Sequence, residues 1–215
     1  KGIKTYDAKN KKPGDRSLPG ELIYSPTTTF NEKAGVDAHT YLERSYDYFK
    51  NTHGRNSFDN NGAPIISSVH VGDKWNNAAW NGEQILFGDG DNVEFINLAA
   101  SLDVAAHELT HAVTEKTANL IYFGEPGALN ESISDIFAVM VDNEDWLIGE
   151  DIYLKGNGFR SLEDPAKHGQ PDHYSKRYIG IEDNGGVHIN SGINNKAAYL
   201  MISKISGEKN VKLKK

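Results

Sequence analysis

Cysteine is absent from the 215 residues, which excludes disulfides and any thiolate metal site. The absence is compatible with either side of a membrane. It leaves eight histidines and 30 carboxylates as the possible metal ligands. Long apolar runs are missing too, and none approaches the ~18 residues that a membrane span needs. Positive charge is in deficit: the formal charge of -7 argues against a nucleic-acid binder, which would present a basic face. The opening segment "KGIKTYDAKNKKPGDR" has no apolar h-region, so any targeting segment is expected to lie outside this sequence or to have been removed. What remains, 38% apolar and 25% charged residues, is ordinary for a globular protein with one large domain or two small lobes around a cleft.

The first 35 residues, rich in Gly, Pro, Lys and Asn, read as strand and turn pieces. Residues 36–54 predict a helix with Ala38, Tyr41, Leu42, Ser45, Tyr48 and Phe49 on one face. Residues 65–71 and 82–91 predict strands flanking "KWNNAAWNG". Two helices follow, 101–118 with Ser101 as N-cap and 127–142 opened by Gly127, joined by the link "NLIYFGEP". After loop-rich 143–187, a last helix is expected over 191–205, then a solvated basic tail. The pattern implies a mainly β N-terminal half with one helix and a mainly α C-terminal half.

His107, Glu108 and His111 spell H-E-x-x-H on the first of the paired helices. A spacing of four turns a side chain by only about 40°, so both imidazoles face one way, as two zinc ligands require. Glu108 lies about 100° from His107, beside such a metal rather than on it, where it can take a proton from water. Chance placement of eight His and fourteen Glu yields the motif on the order of 0.02 times per chain. A third histidine close by is ruled out, because Thr114 and Thr117 stand where that alternative needs Gly and His. Glu131, Asp135 and Asp142 share a face of the second helix, and Asp103, His107 and His111 form a stripe on the first. Laid face to face, such stripes call for cations, and zinc held by His107, His111 and Glu131 is the expected centre.

This helix pair resembles the thermolysin-like zinc metalloendopeptidases, whose pattern is H-E-x-x-H, nineteen residues, then E-x-x-S-D. Here His111 is followed by nineteen residues, Glu131, Ser134 and Asp135. The gluzincin aminopeptidases use eighteen, with a Gly-x-Met-Glu-Asn segment not found in this chain. "NNAAWNGEQILFGDGD", "DPAKHGQPDHYSKRY" and "DNGGVHINSGINNKAAYL" resemble further segments of the same family, so that the likeness runs from residue 5 to 203. It implies an α+β, two-lobed zincin fold with the zinc-binding helix at the cleft. The lobes are expected at 1–100, β-rich with one helix, and at 101–215, the zinc-binding helices and the start of a helical lobe. It also implies a secreted enzyme acting on proteins and peptides. A monomer is expected, as is a domain truncated at both ends.

The resemblance implies roles residue by residue. Glu108 would be general base and proton shuttle, and His188, oriented by Asp183, would stabilise the tetrahedral oxyanion with help from Tyr122. Asp135 and Asn130 would orient the zinc histidines. Arg160 would grip the substrate carbonyl, and Asn77, next to Ala78, would bond its backbone. Phe95, Leu98, Val104, Ile148, Ile152 and Phe159 would line an apolar pocket for the residue after the scissile bond. Phe159 is larger than the leucine usual in the family, so Leu or Val is expected there over Phe. Asp103, Asp142, Asp145 and Glu150 match calcium ligands; Leu147 replaces a second-site glutamate, so one structural calcium is expected. Ala79 replaces a frequent aromatic, which should weaken substrate contact. Two alternatives stay open: a non-catalytic zinc- or peptide-binding remnant, which would have no need of Glu108, and an exopeptidase, disfavoured by the spacing.

Overall fold

The computed structural model describes residues 2–23 and 32–208. Residues 24–31 of the expected N-terminal strand-and-turn region, and 209–215 of the tail, lie outside the described residues. Five strands form one sheet in the order β2-β1-β3-β5-β4: β1 is Ile3–Asp7, β2 Glu21–Leu22, β3 Ile65–Val71, β4 Ala78–Trp80 and β5 Ile85–Gly88. The central β1, β3 and β5 run parallel, and the short edge strands β2 and β4 are antiparallel to their neighbours. Burial on both faces explains the apolar β5 and the Ile/Val-rich β3. β4 was not anticipated, because three residues between asparagines carry no alternation to read; its pairing with β5 creates it.

Helix α1, Lys33–His53, starts three residues before its expected boundary. The Glu32 carboxylate caps it by accepting from the Ala34 and Gly35 amides, and Gly54 ends it with φ 66°. Its buried stripe of Ala34, Ala38, Leu42, Ser45 and Phe49 has the expected periodicity and packs into the core with Ile65, Val69, Ile85 and Phe87. Helix α2, Leu102–Glu115, is capped by Ser101 as predicted, and its residues 102–110 are all buried. A helix covered on every side runs through the middle of a fold, and this one separates the sheet from the helical half.

Helix α3, Gly124–Asp142, packs antiparallel on α2: residue 107 meets 135 and residue 111 meets 130. A second core of Ala106, Ala138, Val139, Ile148 and Leu162 lies beside this pair. The hairpin of β6, Leu147–Ile148, and β7, Arg160–Ser161, closes over α3. Helix α4, Glu182–Glu208, begins nine residues before the expected start. Its first turn is left-handed, with φ of 51°, 50°, 80° and 81° at Asp183, Asn184, Gly185 and Gly186. Asp and Asn tolerate that region, and glycine enters it freely. A Cβ on Gly186 would also lie 2.6 Å from the Tyr178 ring. The α+β architecture expected from the sequence is therefore the one observed.

Candidate metal centre and its cleft

One turn of α2 separates His107 from His111, and their Nε2 atoms approach to 2.9 Å. Their Nδ1 atoms face acceptors, Asp135 Oδ1 and Asn130 Oδ1, each at 2.8 Å. Both Nδ1 atoms therefore carry protons, and both Nε2 atoms converge on one point. Glu131 on α3 completes the group, with carboxylate oxygens 3.4 Å from His107 Nε2 and 3.2 Å from His111 Nε2. Among the described residues this is the only trio of His, Cys, Asp or Glu whose donor atoms come close enough to hold one metal ion. Glu131 Oε2 is buried without a hydrogen-bond partner. Two converging imidazole nitrogens and an orphaned carboxylate oxygen fit a cation with a nitrogen and oxygen donor set, as zinc has.

The surrounding carboxylates dominate the charge of this cluster. Burial, the largest influence on His107, would lower its pKa; the Asp135 and Glu131 carboxylates together overturn this and raise it to about 10. Burial would likewise raise Glu131 and Asp135. Instead His107 and His111 hold Glu131 well below the ordinary range, and Arg160 with His107 holds Asp135 at about 2. Negative charge is fixed here in a buried place, and positive charge is what the cluster retains.

A cleft of about 750 Å³ opens over this cluster. It is lined by edge strand β4 with Asn77 and Ala78, and by Tyr122, Arg160 and His188. Glu108 lines it beside His107, with Oε2 accepting from the Trp80 amide at 2.7 Å. His188 Nδ1 is 2.6 Å from Asp183 Oδ1, and its backbone amide donates to Asp183 Oδ2 at 2.8 Å. The left-handed turn makes both bonds possible by folding residue 183 back under residue 188. The Tyr122 hydroxyl donates to Glu131 Oε1 and lies 3.1 Å from His188 Nε2. Burial and the nearby Glu131 push the Tyr122 pKa far up, so it remains a neutral donor.

A family model described as the thermolysin metallopeptidase catalytic domain matches residues 1–115, and one for its alpha-helical domain matches 118–215. The chain belongs to the thermolysin metallopeptidase family. Bacillolysin of Brevibacillus brevis is 59% identical over 94% of this chain and 38% of its own length. Neutral protease B of Bacillus subtilis (strain 168) is 58% identical over 94% and 39%. Thermolysin of Alicyclobacillus acidocaldarius is 53% identical over 93% and 38%. The chain thus spans about two-fifths of the length of these curated relatives. Among solved structures, the precursor of protealysin, a metalloproteinase from Serratia proteamaculans, superposes with a TM-score of 0.85 at 41% identity, covering 94% of this chain and 69% of that one.

Within this thermolysin-type frame, the apolar end of the cleft is lined by Phe95, Leu98, Val104, Ile148 and Phe159. The Phe159 ring meets Phe95 edge-on at 5.4 Å and lies under the Arg160 guanidinium at 4.8 Å. Ile152, 1% exposed, belongs to the same core cluster as Leu98 and Val104 but is not among the residues lining the cleft. Asp183 is not among the residues lining the cleft; its carboxylate holds His188. The four acidic residues expected to bind calcium are electrostatic neighbours, yet among the described residues they form no trio as tight as the histidine–glutamate cluster. Burial and neighbouring carboxylates raise Asp103 well above its ordinary value, Asp142 to about 6 and Glu150 to about 7. Glu150 Oε2 is buried without a partner.

Some contributors escaped the sequence reading. Asn195 of α4 donates to Asp135 Oδ2 at 2.9 Å and is itself held by the Ser132 hydroxyl at 2.7 Å. Gln170 donates to the His188 carbonyl at 2.6 Å. Neither residue carries a local signal, because each acts across more than fifteen positions of chain. No described helix is long and apolar enough to cross a membrane.

Proposed function

We propose that this chain forms the catalytic core of a secreted zinc endopeptidase that hydrolyses peptide bonds in proteins and favours a bulky apolar residue after the scissile bond. The observation that carries this reading is the convergence of His107, His111 and Glu131 beneath a cleft with Glu108 on its wall. In this reading residues 1–100 supply the strand wall, and 101–215 supply the ligands. Zinc held by the three side chains would supply Lewis acidity and lower the pKa of water to about 7.

The other contributions belong to the chain itself. Glu108, with one oxygen held by the Trp80 amide, takes the proton of the attacking water and returns it to the leaving amine. Steadied by Asp183, His188 turns its Nε2 to the developing oxyanion and stabilises it, and the neutral Tyr122 hydroxyl donates beside it. Asp135 and Asn130 keep the Nδ1 protons of the histidines in place, so that both Nε2 atoms stay directed at the metal position. Arg160 offers its remaining N–H groups to the substrate carbonyl, while Asn77 and Ala78 border the space in which an extended peptide lies along β4. The apolar end from Phe95 to Phe159 receives the side chain after the scissile bond. Asp103, Asp142, Asp145 and Glu150 would hold a calcium ion; the raised carboxylate pKa values and the orphaned Glu150 oxygen support that assignment.

Hydrolysis of an internally quenched peptide, with and without a zinc chelator, tests the reading. Chelator-sensitive internal cleavage that Glu108→Gln abolishes, while zinc content is retained, is the expected result. Zinc binding without turnover would instead favour a peptide-binding remnant, and cleavage confined to a terminal residue would favour an exopeptidase.

A further inference from the structure

Trp80 is fastened to helix α2 at two points, and only one of them is explained by the chemistry above. Its backbone N–H, turned away from β5, donates to Glu108 Oε2 at 2.7 Å. Its indole Nε1–H donates to Glu115 Oε2, also at 2.7 Å. Glu115 follows Glu108 by seven residues, so the two carboxylates lie on nearly the same side of α2, about 10 Å apart along the axis. The strand that carries Trp80 is three residues long and pairs with β5 on one side only among the described residues. Such a strand cannot hold its own position firmly, and a free glutamate side chain samples several rotamers.

We propose that Glu115, acting through the Trp80 indole, fixes strand β4 against α2 and so positions the Glu108 carboxylate for proton transfer. Glu115 and Trp80 are positioning residues in this scheme, and neither touches the reacting atoms. The second Glu115 oxygen accepts from Lys116 Nζ at 2.6 Å, which commits the carboxylate to the indole on its other side. The Trp80 ring also packs against Phe58, with centroids 5.3 Å apart and the rings tilted by 56°, so the indole is held by packing as well as at its N–H. With Oε2 of Glu108 bound by the strand, its Oε1 is the atom left for the cleft. Loss of the indole bond lets β4 move, and the Glu108 carboxylate loses its fixed donor.

The inference rests on Glu108 as the proton carrier, and its test separates the two claims. Glu115→Ala, Glu115→Gln and Trp80→Phe would be compared with the wild type for hydrogen exchange at the position-80 backbone amide, zinc content, kcat and KM. Glu115→Ala and Trp80→Phe should raise amide exchange about tenfold and lower kcat about tenfold. KM should stay within about twofold, and zinc content should not change. Glu115→Gln keeps an oxygen acceptor and should behave as the wild type on every measure. Unchanged exchange in both Glu115→Ala and Trp80→Phe would overturn the tie. Faster exchange with wild-type kcat would overturn its catalytic role. A wild type that cleaves nothing would sink the endopeptidase reading and the catalytic role with it, and the exchange comparison would still decide the tie. Trp80→Phe covers the case in which Glu115→Ala fails to fold.

Discussion

Arg160 and Asp135 meet through two parallel contacts, Nε to Oδ2 at 2.9 Å and Nη2 to Oδ1 at 2.6 Å. The Asp135 side chain is fully buried, and it also receives His107 Nδ1 and Asn195 Nδ2. One carboxylate thus joins a histidine of the candidate metal cluster, a residue lining the cleft, and helix α4. A bidentate pair of this kind is balanced only while both partners are present.

Arg160→Met should therefore cost about 3–5 kcal/mol of stability, because it strands a buried charge. Urea unfolding measures this directly. Arg160→Lys should recover only part of the loss, since an ammonium cannot replace the fork of two N–H donors. A fully stable Arg160→Met would show that the pair contributes nothing net.

Phe159 lines the apolar end of the cleft, with its ring against Phe95. Peptides with Leu or Val after the scissile bond should be cleaved in preference to those with Phe. Phe159→Leu should improve kcat/KM for the Phe peptide by roughly tenfold relative to the Leu peptide. Profiling with a peptide library reads both effects, and a wild type that already favours Phe would refute the narrowing.

Stability should fall at alkaline pH through His70. Its Nδ1 lies 2.8 Å from Asp89 Oδ1 and its Nε2 3.3 Å from Glu32, the residue that caps α1. The Asp89 hydrogen bond raises its pKa to about 9 from 6.5. A folded-state pKa above the unfolded one gives stability that is fully present below about 6.5 and lost as pH rises through about 9. Urea midpoints should decline between pH 7 and pH 10, and the decline should be smaller in His70→Gln. Parallel curves for the two proteins would rule this out.

Calcium should stabilise the fold by relieving the repulsion among Asp103, Asp142 and Glu150. At 100 times its dissociation constant, a single ion contributes about 2.7 kcal/mol. The thermal midpoint should rise on adding calcium, fall with a calcium chelator, and respond weakly in Glu150→Gln. A midpoint indifferent to calcium would leave this acidic group without a metal role.

The sequence by itself determined what depends on short spacings. The four-residue step from His107 to His111, the off-axis Glu108, the Ser101 cap and the stripe on α1 all follow from 3.6 residues per turn, a geometry that holds before any tertiary contact forms. Facing stripes on consecutive helices also made the α2–α3 pairing legible, because unpaired charge in a core has few alternatives. Only the tertiary structure decided that Tyr122 would bridge Glu131 and His188, that Asn195 would brace Asp135, and that Trp80 would clip β4 to α2. Those relationships join residues nine to 66 positions apart, and they depend on how the chain packs rather than on local periodicity.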